Sequence, residues 1–308
     1  MIDSAKNQCW WQRLNGFANC LGCHAHPQLS DQEALTMLET AYEHGINYFD
    51  NADIYGDGAS EIKFGNALKA SHIDRDQVLV QTKVGIGKKM YDFSKEHIIE
   101  GVEASLNRLQ LDHVDTLLLH RPDPLMEPDE IAEAFLKLQN SGKVRQFGVS
   151  NFNPGQVDLL QQAVPQALIA NQLQFSLMHT GMIDAGVHTN MQDARSIHHD
   201  GGLLEYSRLT NMTIQAWSPY QYGMFEGVFI DNPKFPELNA ALQSVAKAHD
   251  TNVNAIASAW LLRIPASMQV VVGTMNPSRL AEICEADKVT LTRREWYDLY
   301  LAAGNDLP

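Results

Sequence analysis

Ile46-Asn47-Tyr48-Phe49-Asp50-Asn51-Ala52-Asp53-Ile54-Tyr55-Gly56 is the stretch from which the fold is read. Ile46, Tyr48 and Phe49 bring the β-branched and aromatic bulk of a buried strand. That strand runs into Asp50, Asp53 and Tyr55. A carboxylate at the end of an apolar strand is costly to bury without a partner. A tyrosine five residues on, in a turn bounded by Gly56, can present its hydroxyl to the same space. Alone, the pattern also fits a strand end with a capping Asp and a surface Tyr. The other strand ends decide between the two.

Upstream, Arg13 to Leu21 reads as a first strand. Ser30-Asp31-Gln32-Glu33 opens a helix with a capping box, and Gly45 closes it. Downstream, Ser60 to Ala70 reads as a helix with Ile62, Ala67 and Leu68 inward, and Val78 to Lys83 as a third strand. Ser94 caps a helix through Leu109, and Val114 to Leu119 is a fourth strand. Further strands follow at Val144 to Val149, Ala167 to Leu173, Thr213 to Trp217 and Gln269 to Val272, each separated by amphipathic helical segments. Short apolar strands alternating with helices call for parallel pairing. Eight such units in 308 residues predict an α/β fold of the (β/α)8 TIM-barrel type, one domain spanning 1–308, with long loops at the C-terminal face. No G-x-G-x-x-G follows any strand, so a Rossmann site is not supported.

A net charge of −14 argues against nucleic acid or an anionic membrane as the main partner. No run of eighteen apolar residues is present, and Met1 to Arg13 lacks an apolar signal core. The expectation is a cytoplasmic protein, a monomer or small homo-oligomer. Cys20-Leu21-Gly22-Cys23-His24 has the spacing of a haem attachment but reads as a small-residue loop, and no metal is expected. Two connections exceed the usual length. His179 to Gly202, rich in His and Asp, is expected to be a polar lid rather than a metal site; Tyr220 to Phe235 is rich in aromatics and Gly.

In a barrel all strand C-termini open on one face, where active sites sit. Those ends carry Asp50 and Tyr55, Lys83, His120, Ser150 and Asn151, then Asn171 and Gln172, and Trp217 and Ser218. The ionisable members suit proton transfer from a tyrosine. A free phenol, with a pKa of about 10, is too weak an acid near neutrality. A lysine cation beside it stabilises the phenolate, and a carboxylate such as Asp50 holds that lysine in place. His120 can then donate a hydrogen bond to a substrate oxygen. The set is a design for protonating an oxygen as hydride reaches the neighbouring carbon. After the eighth strand, Gly273-Thr274-Met275-Asn276-Pro277-Ser278-Arg279 joins an Asn cap, a Pro at the first helical position and an Arg, which reads as an anion site. Position near the mouth nominates Leu21, Ile54, Tyr91, Arg121, Met178, Met224 and Phe225 for the substrate pocket. Arg121 either meets an acidic substrate or pairs with Asp123.

Several stretches together resemble the aldo-keto reductase family, in a bacterial oxidoreductase branch. Phe49 to Gly56 is similar to its F-D-T-A-x-x-Y-G signature, and Gln81-Thr82-Lys83 to its lysine strand end. Leu111 to His120 resembles the L-D-x-V-D-L-L-L-x-H segment, and Gly142 to Arg145 with Gly148 to Phe152 gives a further match. Asn171-Gln172 and Ala216 to Pro219 also correspond. The resemblance implies reduction of an aldehyde or ketone with NADPH, NADH being the lesser expectation. By position it implies Tyr55 as general acid, tuned by Lys83 and Asp50, with His120 orienting the carbonyl. It implies Ser150, Asn151 and Gln172 around the nicotinamide carboxamide and Trp217 stacked on the ring. Ser218 and Gly223 fall to the pyrophosphate, Gly273, Thr274 and Arg279 to the adenosine 2′-phosphate end, and Glu282 to the adenine. Where the family often has a lysine, this chain has Gly273. Some members of the family bind the cofactor as regulatory subunits with little turnover, which is the alternative function.

Overall fold

Eight parallel strands close into a barrel in the order β1-β12-β9-β8-β7-β6-β3-β2, in a computed structural model that describes residues 19–308. The barrel strands are β1 (Asn19–Gly22), β2 (Tyr48–Asp50), β3 (Leu79–Val84), β6 (Val114–Leu119), β7 (Val144–Ser150), β8 (Leu168–Gln174), β9 (Thr213–Trp217) and β12 (Met268–Val272). Two small hairpins, β4–β5 (Ile86–Gly87 with Met90–Tyr91) and β10–β11 (Gln221–Tyr222 with Gly227–Val228), stand outside it. The expected (β/α)8 architecture is therefore the observed one. Of the expected first strand, Asn19 to Gly22 is seen, and residues 13–18 lie outside the described residues.

Eleven α-helices are present among the described residues. They are α1 (Asp31–Glu43), α2 (Ala59–Ala70), α3 (Lys95–Leu109), α4 (Pro128–Asn140), α5 (Pro154–Ala163), α6 (Gly181–Val187), α7 (Leu203–Thr210), α8 (Pro236–Ala248), α9 (Val253–Leu262), α10 (Pro277–Cys284) and α11 (Arg293–Ala302). Local chemistry sets their starts. The Ser30 hydroxyl accepts from the Glu33 N–H while Glu33 reaches back to the Ser30 N–H, as the capping box requires. Asn153 with Gln156, and Thr292 with Glu295, repeat the device at α5 and α11. Such caps stabilise a helix by about 1 kcal/mol each. In α2 the inward positions are Glu61, Phe64, Ala67 and Leu68. Ile62, expected inward, is 46% exposed. Phe64 takes the core position because it lies one helical turn from Ala67 and Leu68.

The side chains sort by strand parity. Outward-facing Leu21, Phe49, Val80, Leu117 and Phe147 join the helices in one apolar layer. Inward-facing Cys20, Tyr48 and Val271 form a separate small cluster. Beside it the barrel interior is polar. Tyr48 Oη donates to Gln81 Oε1 at 2.8 Å and lies 2.9 Å from Thr116 Oγ1. Gln81, Gln172 and Gln269 meet around the Gln215 side-chain amide at 2.9–3.1 Å. β7 and β8 shift register between Phe147 and Val149. A Cβ on Gly148 would lie 2.7 Å from the Ala170 carbonyl oxygen, so only glycine permits that approach. No helix among the described residues is long and apolar enough to cross a membrane.

Candidate active site

At the C-terminal ends of β2 and β3, Lys83 is fully buried with its ammonium at the centre of three acceptors. Nζ donates to the Asp50 carboxylate at 2.7 Å, to the Asn51 carbonyl at 2.9 Å and to Tyr55 Oη at 3.0 Å. An ammonium has three donors, and all are used. Register produces the meeting: Asp50 pairs with Gln81, and Lys83 lies two residues further on the same face. Tyr55 reaches Lys83 because the chain turns immediately after β2, with the Tyr55 N–H on the Ala52 carbonyl at 3.1 Å.

Burial is the largest single effect and works against the lysine charge, but the Asp50 charge, the Tyr55 charge and the hydrogen bonds to both together outweigh it, so the Lys83 pKa is raised. The tyrosine balance runs the other way from the sequence expectation. Lys83 does pull the Tyr55 pKa down, yet burial is the larger effect and leaves it above the ordinary phenol value. Tyr55 is therefore a loaded phenol at neutral pH. Its oxygen accepts from Lys83, which leaves its own proton free to point into the mouth.

His120, just after β6, sets its ring edge-on to Tyr55 with centroids 6.0 Å apart. Burial, then the charges of Lys83 and Arg121, hold its pKa well below the usual imidazole value. The ring is neutral at pH 7. Its Nδ1 is buried without a partner. An orphaned acceptor is tolerated better than an orphaned N–H, so the tautomer carrying its proton on Nε2 is favoured, and Nε2 becomes a donor. His24 also sets its ring edge-on to Tyr55, again with centroids 6.0 Å apart.

The next three strand ends form a chain of amide and hydroxyl groups. Asn151 follows β7 with φ 62°, a conformation Asn adopts more readily than most residues. Trp217 Nε1 donates to Asn151 Oδ1 at 3.1 Å, Asn151 Nδ2 to Ser150 Oγ at 2.7 Å, and Ser150 Oγ to the Gln172 carbonyl at 3.0 Å. Gln172 is buried and anchored through Gln215. Asn171 faces the other way and holds the Phe152 carbonyl at 2.8 Å. Ser218 donates to Gln221 Oε1 at 3.1 Å, and the Gly223 carbonyl accepts from Gln174. After β12, Asn276 caps α10 by accepting from the Arg279 N–H at 3.2 Å, with Pro277 at the first turn. Thr274 Oγ1 accepts from the Asn276 N–H, Arg279 is exposed, and the Glu282 carboxylate accepts from Asn254 at 2.7 Å. These donor types suit a dinucleotide: paired amides for a carboxamide, an indole face for an aromatic ring, and a capped helix start with an arginine for a phosphate.

A cavity of about 890 Å³ adjoins this row and is lined by Asn151 and Trp217 as well as Arg121, Met178 and Met224. Of the nominated pocket residues, these last three line it. Ile54, Tyr91 and Phe225 lie outside it and are exposed, Tyr91 on the β4–β5 hairpin. Leu21 does not reach the mouth. It packs between barrel and helices, because its neighbour Cys20 takes the inward face of β1. Cys20 and Cys23 are free and fully buried, and burial raises both thiol pKa values.

The far wall of the cavity is the 179–202 connection, which folds as α6 and a short 3-10 turn (Ala194–Ser196). Arg195 ties it to the C-terminal segment, reaching Asp184 at 3.2 Å, Asn305 Oδ1 at 2.6 Å, the Gly304 carbonyl and Asp306. His188 Nδ1 lies 3.1 Å from Asp193 in the same clasp. Among the described residues no group of three or more His, Cys, Asp or Glu is arranged to hold a metal ion. Sequence reasoning missed Gln81, which donates to Asp50 at 2.6 Å and steadies the carboxylate from below. Its position two residues before Lys83, on the same strand face, was the available signal.

The family model described as the aldo/keto reductase family matches residues 20–300. The chain is 38% identical over 282 residues to a 6-dehydroglucose reductase of Agrobacterium fabrum, covering 88% of each chain. It is 33% identical over 290 residues to the oxidoreductase YdhF of Escherichia coli, covering 91% of each. Among solved structures, an aldo-keto reductase from Klebsiella pneumoniae in complex with NADPH superposes with a TM-score of 0.72 at 23% identity, covering 92% of this chain and 89% of that one.

Proposed function

This chain belongs to the aldo/keto reductase family, a family of NAD(P)H-dependent carbonyl oxidoreductases, and from that premise we propose that it reduces an aldehyde or ketone to the alcohol with NADPH, Tyr55 delivering the proton. One observation carries the reading: the buried Lys83 ammonium stands between Asp50 at 2.7 Å and Tyr55 Oη at 3.0 Å.

The reduced nicotinamide, when bound, supplies the hydride that reaches the carbonyl carbon. The residues supply everything else. Nε2–H of neutral His120 donates to the carbonyl oxygen and polarises it. Tyr55 transfers its phenolic proton to that oxygen as negative charge develops there. The phenolate left behind is held by Lys83, whose charge Asp50 maintains, until solvent reprotonates it. General acid catalysis of this kind contributes about 10²–10⁴-fold. Ser150, Asn151 and Gln172 suit the carboxamide, and Trp217 the ring face. Ser218 and Gly223 suit the pyrophosphate. Thr274 and Arg279, with the α10 start, suit a 2′-phosphate, and Glu282 the adenine. Arg279 supports NADPH over NADH, since NADH has no phosphate there. The NADPH held by the Klebsiella neighbour is consistent with that choice.

The test is NADPH oxidation with a panel of small aldehydes and ketones, with the alcohol identified as product. Stoichiometric alcohol formation supports the proposal. Tight NADPH binding with no consumption across the panel would assign the protein to a regulatory role instead.

A further inference from the structure

The 890 Å³ cavity holds one charge that the protein does not answer. Its charged lining residues include Asp184, Arg195, Asp200 and Arg121. Asp184 accepts from Tyr300 Oη at 2.6 Å and Thr180 Oγ1 at 2.9 Å, and pairs with Arg195. Asp200 accepts from the Gly202 N–H at 2.9 Å and lies 3.5 Å from His198. Arg121 is different. Asp123, its nearest acid in sequence, spends both carboxylate oxygens on backbone N–H groups, of Phe93 at 3.1 Å and Leu125 at 2.8 Å. The sequence alternative of an Arg121–Asp123 pair is thus not realised. The Arg121 guanidinium instead lies over the Trp217 ring, 5.7 Å from its centroid. It is half-buried, makes no ion pair or hydrogen bond with the described residues, and stands immediately after His120.

Resting on the reductase reading, we infer that Arg121 selects the substrate: the carbonyl compound carries an anionic group, a carboxylate or a phosphate, that the guanidinium binds while His120 and Tyr55 hold the carbonyl oxygen. A partly desolvated cation without a counter-ion is stabilised most by a ligand anion. The planar fork of the guanidinium matches both anions in bidentate fashion. In a chain of net charge −14 an unpaired cation in a cavity also marks a place where a small anion is drawn inward. The contact is made equally before and during the reaction, so it appears in KM rather than kcat. Arg121 is a specificity-determining residue and takes no part in the proton transfer.

The experiment compares matched pairs with NADPH: succinic semialdehyde against butanal for the carboxylate, and D-glyceraldehyde 3-phosphate against D-glyceraldehyde for the phosphate. The anionic member of at least one pair is expected to have the higher kcat/KM by about ten- to hundredfold, the size of one charge-assisted contact. Which pair shows it identifies the anion. Arg121→Gln is expected to lower kcat/KM for that member, through KM, at least tenfold more than for its neutral partner, and Arg121→Lys to lose less. Equal or better use of the neutral member in both pairs, or an equal loss for both members in Arg121→Gln, overturns the inference. A second measurement needs no turnover: thermal stabilisation of the NADP+-loaded protein by glutarate and by inorganic phosphate. Stabilisation that Arg121→Gln removes supports the anion site, and none from either anion overturns it. Stabilisation alongside no turnover of any carbonyl would strike down the reductase reading alone.

Discussion

At the β2–β3 end of the barrel mouth the functional groups are partnered to one another, and at the β12 end they are not. Lys83 spends all three donors inside the protein, Asp50 is gripped by Lys83 and Gln81, and Gln81 is tied on through Gln215 to Gln269. Two strands round the barrel from β2, past β1, Thr274 and Asn276 organise only the start of α10, and Arg279 stands exposed. The first rim is assembled before any ligand arrives, as a site must be when the positions of protons and charges decide the rate. Under the proposed function the second is a binding surface whose charge is completed by what it binds. On that same proposal the difference separates two steps: chemistry at the assembled end, and capture of an anionic cofactor tail at the exposed one.

Lys83→Met attacks the assembled rim most heavily. It leaves Asp50 buried without its cation, a change that costs about 3–5 kcal/mol of stability. Turnover is expected to fall about 10²-fold or more, and denaturant unfolding with steady-state kinetics checks both. At the open rim the same kind of change is mild. Arg279→Ala is expected to weaken NADPH about ten- to hundredfold while leaving NADH binding and the melting temperature unchanged, read by fluorescence titration. A loss of stability there would erase the contrast.

The assembled rim also carries a cost. Asp53 is pushed up to about 7, burial being the larger cause and the Glu61 charge the next. Its folded pKa lies above the unfolded value, so the folded protein holds a proton that the unfolded chain gives up. Stability from this site therefore declines as pH rises from about 4 to about 7. Asp53→Asn is expected to stabilise the protein by ~1–2 kcal/mol at pH 8 and negligibly at pH 4, measured by urea unfolding at the two pH values. The smallest effect belongs to the cavity wall. The hydrogen bond to Asp193, opposed by burial, raises the His188 pKa. Its contribution is complete below the ordinary histidine value of about 6.5 and is lost as pH rises through the higher folded value. Limited proteolysis within 179–202 should thus grow faster above neutrality, and His188→Gln should flatten that dependence.

The barrel and the assembled rim were legible in the chain because both rest on short-range rules. Strand ends show as apolar runs meeting a polar residue, and caps such as Ser30 with Glu33 or Asn276 with Pro277 lie within one turn of each other. What escaped depends on phase or on distance. Four-residue β1 has no apolar–polar alternation to show that Cys20 rather than Leu21 faces inward. The direction of the Tyr55 shift turns on how deeply the phenol is desolvated, a quantity that no spacing encodes. The Arg195 clasp joins residues 110 apart in sequence, and the Gln81–Gln215 contact residues 134 apart. The solitude of Arg121 appears only once Asp123 is seen holding backbone N–H groups.

The central claim, that Tyr55 serves the chemistry and not the capture of cofactor, is tested most directly by measuring kcat and the NADPH dissociation constant on one preparation of Tyr55→Phe. The account predicts a fall in kcat of about 10²-fold or more with the dissociation constant within about twofold of wild type, because the lost hydroxyl contacts Lys83 and not the row from Ser150 to Arg279. Full turnover in Tyr55→Phe, or NADPH binding weakened as much as turnover, would contradict it.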